Sequence, residues 1–67
     1  MDISLNGAPH RFEGASLIEL LAAQAIDQGK PGVAVAINDE IVPRAEWATA
    51  SLKQGDTVEI VRPHSGG

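Results

Sequence analysis

Cysteine and tyrosine are both absent from the 67 residues. Without thiols there is no thiol nucleophile, no thiolate metal site and no disulfide frame, and nothing argues for an oxidising compartment. Aromatics are nearly missing too, with only Phe12 and Trp47. The core must therefore be aliphatic, and a chain this short buries only about 60% of its unfolded surface, so one modestly stable domain is expected. Cations are scarce: five Lys and Arg stand against nine Asp and Glu, for a net charge of -4. That balance repels phosphate backbones and anionic lipid, so neither nucleic acid nor a membrane is expected as a partner. Nowhere do about 18 apolar residues follow one another, and Met1 to Asn6 lacks the basic and apolar regions of a signal peptide. A soluble, cytoplasmic protein is the expectation.

What is present reads as short elements in a definite order. Ile3 and Leu5 alternate with Asp2, Ser4 and Asn6, the period of a strand with one buried face. Asn6-Gly7 suits a tight hairpin turn, and Pro9 limits where pairing resumes, so the return strand is predicted over His10 to Glu13 with Phe12 inward. Ser16-Leu17-Ile18-Glu19 fits a capping box. The helix it opens carries an apolar stripe through Leu17, Leu20, Leu21 and Ile26 and is predicted to stop at Gly29, with Pro31 just beyond. Val33 to Ile37 is apolar throughout and predicts a strand buried on both sides at the sheet's centre. Ile41-Val42 is a short edge strand ended by Pro43, and a helical turn is expected around Ala45-Glu46-Trp47. After a polar turn at Leu52 to Asp56, Thr57 to Arg62 alternates again as the last strand.

One helix after a hairpin supplies the crossover that a parallel third strand needs. The expected fold is therefore α+β, a ubiquitin-like β-grasp with a mixed sheet of four to five strands and one main helix packed across it. Residues 1–62 form that domain, and residues 63–67 form a flexible Gly-Gly tail.

Enzymatic constellations are not supported. The only imidazoles, His10 and His64, lie at opposite ends of the chain, and no pair has metal-ligand spacing, so no metal site is expected. Asp39 and Glu40 sit in a turn where solvation explains them better than acid-base work. Gly29-Lys30-Pro31-Gly32 is a helix exit and not a phosphate loop, since Pro31 removes a donor. Trp47 reads as a packing residue whose indole N–H finds a carbonyl, and Arg44 as a surface or loop-bracing residue. No catalytic residue is assigned.

The C-terminal stretch Arg62-Pro63-His64-Ser65-Gly66-Gly67 has a mechanical reading. With 7 glycines in 67 residues, two consecutive terminal glycines arise by chance in roughly one such chain in a hundred. Five residues from Pro63 onward span roughly 16 to 18 Å when extended, enough to enter another protein's active site. Pro63, His64, Ser65 and Gly66 would thread, with Pro63 limiting the entropy lost, and bare glycines let a narrow channel close around the backbone and a nucleophile reach the Gly67 carbonyl. A carboxylate is a poor electrophile. Conversion to a mixed anhydride with AMP supplies a leaving group, and sulfur attack then leaves a thiocarboxylate. If Val58 and Ile60 face the helix, Val61 points to the opposite face and is a candidate docking residue beside the tail.

With these residues in view, the sequence resembles the ThiS family, the ubiquitin-like sulfur carriers of thiamin biosynthesis. The resemblance rests on Asn6-Gly7, Ala36-Ile37-Asn38, Ile41-Val42-Pro43-Arg44, Trp47, Gly55-Asp56 and terminal Gly66-Gly67, and spans essentially the whole chain. It implies adenylation of the Gly67 carboxylate by an ATP-dependent, E1-like enzyme of the ThiF type, sulfur loading from a cysteine persulfide relay protein, and delivery to thiazole synthase. The carrier would be a substrate and sulfur donor, not an enzyme, and would bind no cofactor itself, the ATP being used by the activating partner. His64-Ser65 departs from the apolar or small residues that such tails often carry. The molybdopterin synthase small subunit shares the expected fold and Gly-Gly ending but has a longer chain. A ubiquitin-like protein modifier attached to lysines and a β-grasp subunit with an inert tail are the other readings.

Overall fold

In the computed structural model, which describes residues 1–63, the chain opens as a hairpin. Strands β1 (Asp2–Leu5) and β2 (Ala8–Arg11) flank Asn6 and Gly7. Both turn residues have positive φ, 51° and 83°, as a type I′ turn requires. Pro9 lies within β2, opposite Ser4. The return strand therefore begins before the expected His10, because β2 is an edge strand, where a missing N–H can be tolerated. Phe12, just past β2, is buried as expected.

Helix α1 (Leu17–Ala23) starts where the sequence says. Ser16 Oγ accepts from Glu19 N at 3.1 Å, and Glu19 Oε1 accepts from Ser16 N at 3.0 Å. Its end is a correction, for it stops well short of Gly29. Ala25 takes the left-handed conformation, φ 57°. The Ala25 N–H then bonds to Ala22 O and the Ile26 N–H to Leu21 O, the paired bonds of a Schellman ending. Ile26 is buried from outside the helix. The apolar stripe is thus completed by a contact across the cap and not by another helical turn.

Strands β3 (Ala34–Ile37) and β4 (Glu40–Ile41) form a second hairpin, with Asn38 and Asp39 at φ 52° and 68°. A 3₁₀ helix, Arg44–Thr49, follows and buries Trp47, whose Nε1 donates to Val42 O at 2.9 Å. Strand β5 (Thr57–Val61) completes a sheet of order β2-β1-β5-β3-β4, parallel to β1 and antiparallel to β3. This is the ubiquitin-like β-grasp.

The central strand is β5, not β3. Val35 is buried, but Ala34 is exposed and Ala36 only half-buried, so β3 is covered on one face. Alanine methyls make that outer face cheap to leave in water, which is why an unbroken apolar run did not signal two buried faces. The core lies between the inner face of the sheet and α1, with Leu17, Leu20, Leu21, Val35 and Val58 fully enclosed.

Candidate functional site

Strand β5 leads into the C-terminal segment, and its alternation sorts its side chains. Val58 and Ile60 are buried, while Thr57, Glu59 and Val61 are exposed. Val61 is 62% exposed and lies opposite Ala34. One row away, Ala36 is flanked by Glu59 on β5 and by Ile41 on β4, and Ile41 is 71% exposed. Directly paired residues project from the same face. Val61, Ala34, Ala36 and Ile41 therefore make an apolar band across the outer face, interrupted by Glu59. Sequence reasoning singled out Val61 and missed its companion Ile41, although the register of the β3–β4 hairpin carries that information.

Beyond Val61 the chain turns toward the far end of α1. Arg62 Nη2 donates to Gln24 O, the carbonyl at the helix C-cap, at 3.2 Å. A cation there also suits the negative end of the helix dipole. Pro63 is half-buried, and its ring packs on Gly32, which has φ 93°. Arg62 and Pro63 border a cavity of about 220 Å³ lined also by Ile26, Asp27, Lys30 and Val33 among others. His64, Ser65, Gly66 and Gly67, the threading and activation positions of the sequence reading, lie outside the described residues.

The segment between α1 and β3, which carries Gly32, is braced from within and by Arg44. Asp27 Oδ1 accepts from Gly29 N at 2.9 Å and closes a local turn. Arg44, on the 3₁₀ helix, donates to the carbonyls of Gln28 and Lys30, the latter at 2.9 Å. Its guanidinium also stacks 4.3 Å from the centre of the Trp47 ring. Loop bracing, the role expected for Arg44, is what it performs.

Two carboxylates are shifted, and both are occupied structurally. Asp56 is 4% exposed. Burial pushes its pKa up, but hydrogen bonds from Asn38 Nδ2 at 3.0 Å and Lys53 N at 2.8 Å, with the Lys53 charge, outweigh burial and hold it below the usual range. Glu19 is lowered by its bonds from the Ala15 N–H and from the Ser16 hydroxyl and N–H. Asp39, in the turn, and Glu40, the first residue of β4, are both exposed. Among the described residues no group of three or more His, Cys, Asp or Glu is placed to hold a metal ion, and no helix is long and apolar enough to cross a membrane.

Comparison with known proteins bears on this geometry. The model of the ThiS family matches residues 3–67. The sulfur carrier protein ThiS of Escherichia coli K12 is 39% identical over 54 residues, 81% of this chain and 79% of that protein. A thiazole synthase of Paramagnetospirillum magneticum is 37% identical over 68 residues, covering 100% of this chain but only 20% of that protein. Among solved structures, the crystal structure of the thiamine biosynthesis protein ThiS from Geobacter metallireducens superimposes with a TM-score of 0.79 at 33% identity, covering 100% of both chains.

Proposed function

The chain belongs to the ThiS family, and from that premise we propose that it is a sulfur carrier of thiamin biosynthesis that works through the carboxylate of Gly67. The observation that carries this reading is the reach of the family match, which runs from Ile3 through both glycines at 66 and 67.

In the proposed cycle a Gly67 carboxylate oxygen attacks the α-phosphorus of ATP in an activating enzyme of the ThiF type, and pyrophosphate leaves. A sulfur nucleophile, supplied by a cysteine persulfide relay, then attacks the acyl carbon. AMP departs with the electrons of the broken C–O bond, leaving an acyl disulfide to the relay cysteine. A second thiol on the partner then attacks that cysteine's sulfur, the S–S bond breaks, a partner disulfide forms, and the carrier leaves as a thiocarboxylate. Thiazole synthase takes that sulfur. The same-chain match to a protein named thiazole synthase supports this last partner. The carrier contributes no acid, base or metal to any step. Its part is to present a terminus free of side chains, since Gly66 and Gly67 leave both the channel and the line of attack open. A cytoplasmic location is part of the same reading, supported by the cycle's need for ATP.

The apolar band with Val61 and Ile41 is proposed as the surface that meets the activating enzyme. It lies on the outer face of β5, β3 and β4, beside the exit of β5, so one partner can cover the band and receive the terminus. A large exposed aliphatic pair of this kind is costly to leave wet unless something covers it.

ATP–pyrophosphate exchange tests the first step. With a competent ThiF-type enzyme, label exchange should depend on this chain and disappear when Gly67 is deleted. Exchange that is indifferent to the carrier, or that survives the deletion, would overturn the reading.

A further inference from the structure

We infer that the contact between Gly32 and Pro63 is a positioning device that fixes where the C-terminal segment leaves the domain; this deepens the carrier reading and rests on it. Gly32 has φ 93°, a conformation that L side chains rarely adopt, and a Cβ on it would sit 3.1 Å from Cβ and 3.2 Å from Cγ of Pro63. A Cβ there would be tighter than almost all ordinary contacts, so glycine is what lets the ring sit this close without displacement. The two partners come from distant parts of the sequence, and each is separately held. Arg44 ties the loop of Gly32 to the 3₁₀ helix through the Gln28 and Lys30 carbonyls. Arg62, immediately before the proline, is tied to the Gln24 carbonyl at the end of α1.

Pro63 is therefore held against the domain. Its ring fixes one backbone dihedral, so the direction of exit is set as well as the place. Four residues, 64–67, follow the anchor, and four extended residues reach at most about 13 to 14 Å. A partner that activates Gly67 must bring its reacting atoms within that distance of the Gly32 surface. Holding the root in place removes one residue's conformational freedom before binding. Freezing one residue's backbone costs an amount equivalent to roughly a five- to thirtyfold change in an equilibrium constant. The anchor supplies that factor to productive binding and leaves the chemical step alone.

Gly32→Ala, which strains the backbone at φ 93° and pushes the ring back by a few tenths of an ångström, and Pro63→Gly, which removes it, should each raise the KM for activation, by up to roughly five- to thirtyfold, with kcat little changed. Because both act through one contact, the double variant should be no worse than the poorer single variant. Thermal unfolding of each variant shows whether the domain is intact. A second arm needs no activity: in the parent, nuclear Overhauser effects should connect the Pro63 ring protons to the Gly32 α-protons, and Gly32→Ala should weaken them. Unchanged KM in both variants, a loss confined to kcat, or absence of those effects in the parent would overturn the inference. A parent that is never activated contradicts the carrier reading instead, and the anchor then stands or falls on the magnetic resonance arm.

Discussion

Asn38 Nδ2 donates to Asp56 Oδ1 at 3.0 Å, while Asn38 Oδ1 accepts from Thr57 N at 2.9 Å. Through this one side chain the β3–β4 hairpin is fastened to the start of β5, and the buried Asp56 carboxylate is satisfied. Removing Asn38 would leave a carboxylate in a nearly closed site with one partner fewer. Asn38→Ala should cost about 1–3 kcal/mol of stability, read as a lower urea midpoint with unchanged slope.

Acid should destabilise the fold through the same residue. Asp56 and Glu19 both have folded pKa values below their ordinary ones. For depressed carboxylates, the stabilising contribution is fully present above the unfolded pKa and disappears as pH falls through the folded one. Urea midpoints should thus be level near neutrality and drop as the pH is lowered below about 4. Asp56→Asn should be less stable at pH 7 but lose less on acidification. An equally steep acid limb in that variant would show that Asp56 is not responsible.

Ala25 holds a left-handed position usually given to glycine. Relief of its strain is partly offset by the extra chain entropy of glycine, so Ala25→Gly should stabilise by about 0.5–1 kcal/mol. Thermal unfolding checks this directly, and a destabilised variant would mean that the Ala25 methyl contributes more than its backbone costs.

That residue also marks the limit of what the sequence discloses. The capping box at Ser16 and Glu19, the Asn6-Gly7 turn and the alternation of β5 are local signals, and each led to the right element. The pattern makes helix α1 too long because Ile26 keeps the apolar period while Ala25, not a glycine, makes the turn. It misplaces the centre of the sheet because alanine counts as apolar in a pattern but demands little burial. Asn38 with Asp56, Asn6 Oδ1 with Ile60 N at 2.8 Å, and Gly32 with Pro63 join residues far apart in the chain. Each looked like an ordinary turn or tail residue, since nothing in its immediate neighbours names its partner. The terminal glycines and the outward parity of Val61 were legible, because composition and a period of two are enough to show them.

Val61 should matter to the partner and not to the fold. Val61→Asp replaces an exposed aliphatic side chain on the outer face, so stability should change by no more than about 0.5 kcal/mol. Activation should nevertheless weaken, with a higher KM, and Ile41→Asp should behave alike. Normal activation kinetics in both variants would show that the apolar band is not the docking surface.

The central claim is that Gly67 is converted to a thiocarboxylate, and intact-mass spectrometry measures it most directly. After incubation with ATP, a sulfur source and a competent ThiF-type enzyme, the mass should rise by a single replacement of oxygen by sulfur, and fragmentation should place the sulfur at Gly67. An unchanged mass under those conditions, or sulfur located at any other residue, would contradict the account.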